Sequence, residues 1–286
     1  MAAAEADRAM RAILAWVFGC KSGLPQKWLR GIAEAGPARC TTRKGRSFTA
    51  FARRCVARCM ALPHGALAGA EDNLEMIALD CYYSLSSPWA YLGGPQLQDI
   101  VRRHHVRLTL KPYDFQAVVP QTGGIPLKTR PEPRRTYHAL ELARWSDYLG
   151  MPLNLEPAYY PKGAPVDPNW NKYPGWMVIA AQLKGLDAHP LSHALLRALW
   201  AEERDTSEAA VRIAVADENG YDGASLQALE QSAETLATYR ANSAEAIEAG
   251  VFGAPTFILN GERFWGQDRL AFLDRALDKL RHARGG

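Results

Sequence analysis

From Glu75 onward, apolar and polar positions alternate in blocks that can be assigned to elements. EMIALDCYY (75–83) is an apolar, β-type run that ends in a serine-rich turn, which predicts a strand. Ser87-Pro88 then opens a helix through about Arg103, because Ser is a good N-cap and Pro is favoured at the first helical position. VRLTLKPYDF (106–115) alternates Val106, Leu108 and Leu110 at the period of a second strand. Two strands joined by a connection this long predict a parallel, right-handed βαβ unit.

A Gly/Pro loop, QTGGIPLKTRPEPRR (121–135), separates this unit from a helical block. TYHALELARWSDYLG places Leu140, Ala143, Trp145 and Leu149 near one helix face, and Gly150 stops it. GWMVIAAQLKG, LSHALLRALWAEERD, SEAAVRIAVADENG and ASLQALEQSAETLATYRANSAEAIEAG also read as helical. Strand character returns at PTFILNGERFWG (255–266), where Asn260-Gly261 is a two-residue hairpin signal, and a last helix is predicted over about 267–282. The order βαβ, helices, ββα predicts an α/β, thioredoxin-like sheet with a large all-helical insertion. The expected division is 74–130 plus 240–286 for the thioredoxin-like domain and 131–239 for the insertion.

Residues 1–73 show no steady periodicity and are expected to be a poorly ordered basic extension, although RKGRSFTAFARRCVARCMAL could form a basic amphipathic helix. Charge sharpens the boundary. This quarter holds 12 Lys/Arg against 5 Asp/Glu, whereas the rest holds 22 against 25. The net charge of +4 therefore comes from the extension, and the slightly acidic body argues against nucleic-acid binding. No apolar run reaches about 18 residues, so no stable membrane insertion is expected. AILAWVFGC (12–20) is a poor signal peptide behind Glu5 and Asp7. The five cysteines (Cys20, Cys40, Cys55, Cys59 and Cys81) have neither zinc nor redox spacing, which fits a reducing cytoplasm.

The candidate chemistry begins at SLSSPWAYLGGPQL (84–97). A thiol–disulfide turn requires Cys-Pro-x-Cys, and these four positions read Ser87-Pro88-Trp89-Ala90. Cys81 is expected to be buried in the first strand and cannot substitute. The turn nevertheless follows the first strand of a βαβ unit, where open α/β sheets place their sites. The helix start offers free N–H groups and a positive dipole end to an anion. Gly93-Gly94-Pro95 is a poor helix sequence, with Pro95 expected to kink the helix; such a local conflict marks either a functional site or tolerated strain.

In GVFGAPTFILNGERFWGQDRL (250–270), Ala254-Pro255 stands just before the returning strand. It is either an ordinary trans X-Pro or the cis-proline that faces the active-site turn of thioredoxin-like folds and lets the preceding backbone pair with a peptide. Asp268 either caps the last helix or, with Gln267, holds the amino and carboxylate groups of a small ligand. His189 and His193 are four apart, but Pro190 and the lack of a third ligand argue against a metal, and none is expected. His104-His105 reads as a helix end.

Together SSPWAYLG, TGGIPL, ELARWSDYLGMPLNL, LWAEERD and the 250–270 segment resemble the 2-hydroxychromene-2-carboxylate isomerase family, which is related to kappa-class glutathione transferases. The resemblance runs from about Glu75 to Leu280; Met76 or Met60 is a candidate natural start. It implies that the missing sulfur belongs to glutathione, the cofactor, and that Ser87 is the catalytic residue that stabilises its thiolate. It also implies that Ala254 and Pro255 pair with the cysteinyl part, that Gln267 and Asp268 hold the γ-glutamyl end, and that Trp265 and Gly266 shape the turn. Arg134 matches a basic family residue, whereas Gly124 stands where kappa-class enzymes carry asparagine. The implied reaction interconverts 2-hydroxychromene-2-carboxylate and trans-o-hydroxybenzylidenepyruvate with a borrowed nucleophile. Lys128, Arg130, Arg134 and Arg135 are the cations available to the carboxylate of this small aromatic substrate; Gly124 and Tyr159 (with Tyr160) are further pocket candidates. A homodimer is expected. The alternatives are a kappa-like glutathione transferase acting on another electrophile, and a non-catalytic glutathione- or peptide-binding module.

Overall fold

A computed structural model describes residues 76–285, which belong to one compact unit. The expected N-terminal extension and four of the five cysteines lie outside the described residues. The elements are β1 (Ala78–Tyr83), α1 (Pro88–His104), β2 (Arg107–Pro112), α2 (Phe115–Val118), α3 (Glu132–Leu149), α4 (Tyr173–Leu183), α5 (His189–Trp200), α6 (Ala209–Glu218), α7 (Gly223–Glu230), α8 (Ala233–Glu248), β3 (Thr256–Leu259), β4 (Glu262–Trp265) and α9 (Leu270–Gly285). The strands form one sheet in the order β2-β1-β3-β4. β1 pairs parallel with β2 (Cys81 opposite Leu110) and antiparallel with β3 (Cys81 opposite Phe257), and β3 pairs antiparallel with β4. This is the thioredoxin-like sheet that the element order predicts, with α3 to α8 inserted between its halves.

Side-chain alternation along β1 divides the interior. Leu79, Cys81 and Tyr83 enter the main core with residues of α1, α5 and α9, whereas Tyr82 enters a smaller cluster with Tyr113, Val118 and Val251. α4 is apolar on all sides, and Met177, Val178, Ile179, Ala180 and Ala181 are fully buried. Its Gln182 amide both donates to the Leu110 carbonyl (2.8 Å) and accepts from the Leu110 N–H (3.0 Å), so the outer edge of β2 is satisfied by a side chain. Arg212 and Glu230 form a buried ion pair between α6 and α7, and Arg212 also donates to the Thr206 and Ser207 carbonyls.

α1 spans 17 residues with Pro95 inside it. Two local expectations are corrected. On α3, Leu140 is 53% exposed, while Leu142 is the residue that enters the core beside Trp145 and Leu149. The long helical reading that begins at Ala224 is two helices, because Ser232 accepts from the Thr235 N–H and starts α8 as its N-cap. Among the described residues no helix is long and apolar enough to cross a membrane.

Candidate active site

The site is built where β1 gives way to α1. Ser87 is the N-cap of α1, with φ −86° and ψ 117°, and its Oγ accepts from the Ala90 N–H at 3.2 Å. The first turn of α1 carries no acidic residue, so the positive helix end is not neutralised from within. Ser87 is buried, and its hydroxyl donates to the Ala254 carbonyl at 3.3 Å. The β3 approach thereby meets the α1 start.

The opposing segment is held by close backbone contacts. The Ala254–Pro255 peptide bond is cis. The Gly253 carbonyl accepts from Tyr113 (3.1 Å) and from Thr256 (2.8 Å), and the Gly266 N–H donates to the Pro255 carbonyl (2.9 Å). A side chain at Gly253 would displace Trp265, since a Cβ there would stand 2.2 Å from the indole nitrogen. Gly266, at φ +98°, adopts a backbone that L side chains rarely reach.

Gln267 follows directly. It is 2% exposed, and its amide Nε2 has no hydrogen-bond partner among the described residues. A buried amide donor without a partner costs about 1–3 kcal/mol, and because this one is enclosed, an acceptor on a ligand reaches it only once the Gln267 side chain turns toward the cleft. Gly93 explains how Gln267 comes so near: a Cβ at Gly93 would lie 2.8 Å from the Gln267 Cβ. Gly94 has the same relation to α5, with a Cβ 2.5 Å from His193 Nδ1. The glycine pair in the middle of α1 is thus a close-packing device. Asp268 is exposed and pairs with its neighbour Arg269.

These groups line a cleft of about 1790 Å³. Aromatic rings also line it, those of Trp89, Trp145, Tyr160, Trp170 and Trp200. Tyr160 packs edge-on against Trp170 at 5.3 Å and tilted against Trp200 at 5.3 Å. Arg130, Arg134 and Arg135 line the rim. Arg130 is steadied by a 2.8 Å bond from its Nε to the Ile125 carbonyl. Lys128 also reaches the cleft, but its ammonium is committed to the Pro161 and Gly163 carbonyls at 2.8 and 2.7 Å.

The structure therefore brings Ser87, Ala254, Trp265, Gly266, Gln267, Asp268, Arg130 and Arg134 to one cleft, with Pro255 buried just beneath. Two candidates stand elsewhere. Gly124 is not part of the cleft wall; a Cβ there would meet the Phe252 carbonyl at 2.3 Å, so that residue is needed for a backbone approach. Tyr159 is 45% exposed and outside the wall, and Tyr160 takes the inward position.

One cleft residue had no sequence signal. His138, on α3, accepts a 3.0 Å hydrogen bond at Nε2 from the Trp89 indole N–H. Burial, with Arg130 adding to it, lowers its pKa to about 4. His193 stacks on Tyr91, with ring centroids 5.4 Å apart. His104 ends α1 with Nε2 2.6 Å from Asp274, whose carboxylate Arg103 also holds. Burial pushes the Cys81 thiol far above its ordinary pKa.

Sheet order, the helix start after β1 and the opposing Ala254–Pro255 segment define a thioredoxin-type protein, and a family model described as the DSBA-like thioredoxin domain matches residues 78–278. The chain belongs to that family. Among curated proteins it is 25% identical over 205 residues to the 2-hydroxychromene-2-carboxylate isomerase of Pseudomonas putida, covering 71% of this chain and 95% of that one. It is also 25% identical over 201 residues to the protein of that name from Sphingobium xenophagum, covering 70% and 97%. A solved 2-hydroxychromene-2-carboxylate isomerase superposes with a TM-score of 0.58 at 24% identity, over 73% of this chain and 98% of that one.

Proposed function

We propose that this protein is a glutathione-dependent isomerase that interconverts 2-hydroxychromene-2-carboxylate and trans-o-hydroxybenzylidenepyruvate. The observation that carries the reading is the Ser87–Ala254 contact at the start of α1, in a turn with no sulfur at positions 87 and 90. The names of the curated relatives supply the reaction class.

The residues present fit glutathione. Ala254 offers backbone to its cysteinyl part. Gln267 and Asp268, both in the cleft wall, suit the γ-glutamyl end once the enclosed Gln267 amide turns toward it, Trp265 and Gly266 shape that turn, and Arg134 stands at the rim. Bound glutathione supplies a nucleophilic thiolate. The Ser87 hydroxyl, turned from the Ala254 carbonyl, donates to that charge. A hydrogen bond to a charged group contributes about 1.5–3 kcal/mol, or roughly one to two pKa units on a thiol near 8.5. The N-terminal end of α1 acts in the same direction. The aromatic wall takes the substrate ring, and Arg130 and Arg134 face its carboxylate.

The test is ultraviolet absorbance of the chromene with and without glutathione, combined with a thiol assay. The expected result is isomerisation that requires glutathione and consumes none. Stoichiometric loss of thiol would instead make the protein a kappa-like transferase, and binding without turnover would make it a glutathione-binding module.

A further inference from the structure

We infer that His138 sets substrate specificity in the cleft, its Nδ1–H donating a hydrogen bond to an oxygen substituent on an aromatic acid whose ring lies beside Trp89. The inference rests on the reading of this cleft as a site for an aromatic acid.

An indole N–H can only donate, so the 3.0 Å contact with Trp89 fixes His138 Nε2 as the acceptor. The proton of the neutral ring is then on Nδ1. Nδ1 makes no hydrogen bond among the described residues, and His138 is only partly buried where it lines the cleft, which offers this donor to a ligand. The ring lines the cleft and stands perpendicular to Trp89, centroids 5.4 Å apart. Its pKa of about 4 keeps it neutral at pH 7, so the tautomer set by Trp89 persists there.

Two kinds of recognition result. Arg130 and Arg134 present charge to a carboxylate, while His138 presents a single neutral donor beside the Trp89 ring. A donor in such surroundings discriminates against a ligand that lacks the matching oxygen, because the donor is then left unpaired. The ligand class is an aromatic acid that carries a ring hydroxyl or ether oxygen as well as its carboxylate.

The experiment titrates the full chain, without glutathione, with trans-2-hydroxycinnamate and with cinnamate, following tryptophan fluorescence. The expected wild-type preference for the hydroxylated probe is about tenfold, the scale of one neutral hydrogen bond. In His138→Leu the ratio collapses to within about twofold of unity. In His138→Gln, which can accept from Trp89 and still donate, at least half of the preference in logarithmic units is retained. Trp89→Phe, which frees the tautomer, also lowers the ratio. Equal wild-type affinities, no binding of either probe, or an undiminished preference in His138→Leu each overturn the inference. A separate glutathione titration distinguishes the two readings: preference for the hydroxylated probe in a protein that ignores glutathione sustains the role of His138 and removes the proposed function.

Discussion

Ser87 and Ala254 stand 167 residues apart in the chain and meet through a 3.3 Å bond from hydroxyl to carbonyl. The same oxygen accepts from the Ala90 N–H. One small side chain therefore holds the helix start, joins the two halves of the sheet at the site, and remains able to turn its proton toward a ligand.

Ser87→Ala removes both bonds. Loss of the cap costs about 1 kcal/mol, which lowers Tm by roughly 2–4 °C in a domain of this size. Loss of a donor to a thiolate costs about 1.5–3 kcal/mol, so glutathione-dependent turnover falls by roughly one to two orders of magnitude. Ser87→Thr retains both bonds and most of the activity. Melting curves and initial rates on the three proteins check this, and an Ala variant with full turnover would remove Ser87 from the chemistry.

Gly93→Ala separates binding from stability. The alanine gains about 1 kcal/mol in helix propensity, but overpacking costs about 1–3 kcal/mol. The atom it meets is the Gln267 Cβ, close to the backbone, so the Gln267 segment must move. The expected outcome is a stability change within about 2 kcal/mol and a several-fold loss of glutathione affinity by calorimetric titration. Gly94→Ala strikes His193 instead, and its effect appears in denaturation with less change in glutathione affinity.

Glu230→Gln leaves the Arg212 guanidinium buried without its counter-charge. Breaking one side of such a pair costs about 3–5 kcal/mol, whereas replacing both partners by apolar residues of similar volume is often neutral. Urea unfolding should show the large loss in Glu230→Gln and a smaller one in the Arg212→Met/Glu230→Leu double variant.

Acid should weaken the fold well before the carboxylates titrate. Burial, reinforced by His189 and Arg197, lowers the His193 pKa to about 4, and burial lowers that of His189 as well. Between about pH 6.5 and 4 the unfolded chain binds protons that the folded chain refuses, so stability is full above 6.5 and declines toward 4. His193 alone contributes roughly 2–3 kcal/mol to this decline. Denaturant midpoints at pH 7.5, 5.5 and 4.5 measure it, and His193→Phe should show a shallower slope.

Much of the fold was readable because its signals are local. The serine cap, Pro88, the alternation of 106–110 and Asn260-Gly261 each act within a few residues, and the four strands lie where those signals put them. The face of α3 was not readable, since apolar residues occupy both sides: Tyr137, Leu140 and Tyr148 are exposed while Leu142 is buried. At the site, Ser87, Ala254 and Gln267 were legible as punctuation around strands and helices. Which loop side chain faces the cleft depends on packing between distant segments. Tyr160 and not Tyr159 turns inward because Trp170 and Trp200 receive it, and Lys128 is drawn to the carbonyls of 161 and 163. His138 acquires its meaning only from Trp89, 49 residues away.

The amide clamp of Gln182 on Leu110 has a counterpart one pleat further on, where Asn242 donates to the Pro112 carbonyl at 3.1 Å, and proline has no N–H to offer. Consecutive outward-pointing rungs of β2 are thus already occupied. A strand from another molecule arriving there finds these docking positions taken, so this rim is guarded against the intermolecular zippering that exposed sheet borders invite.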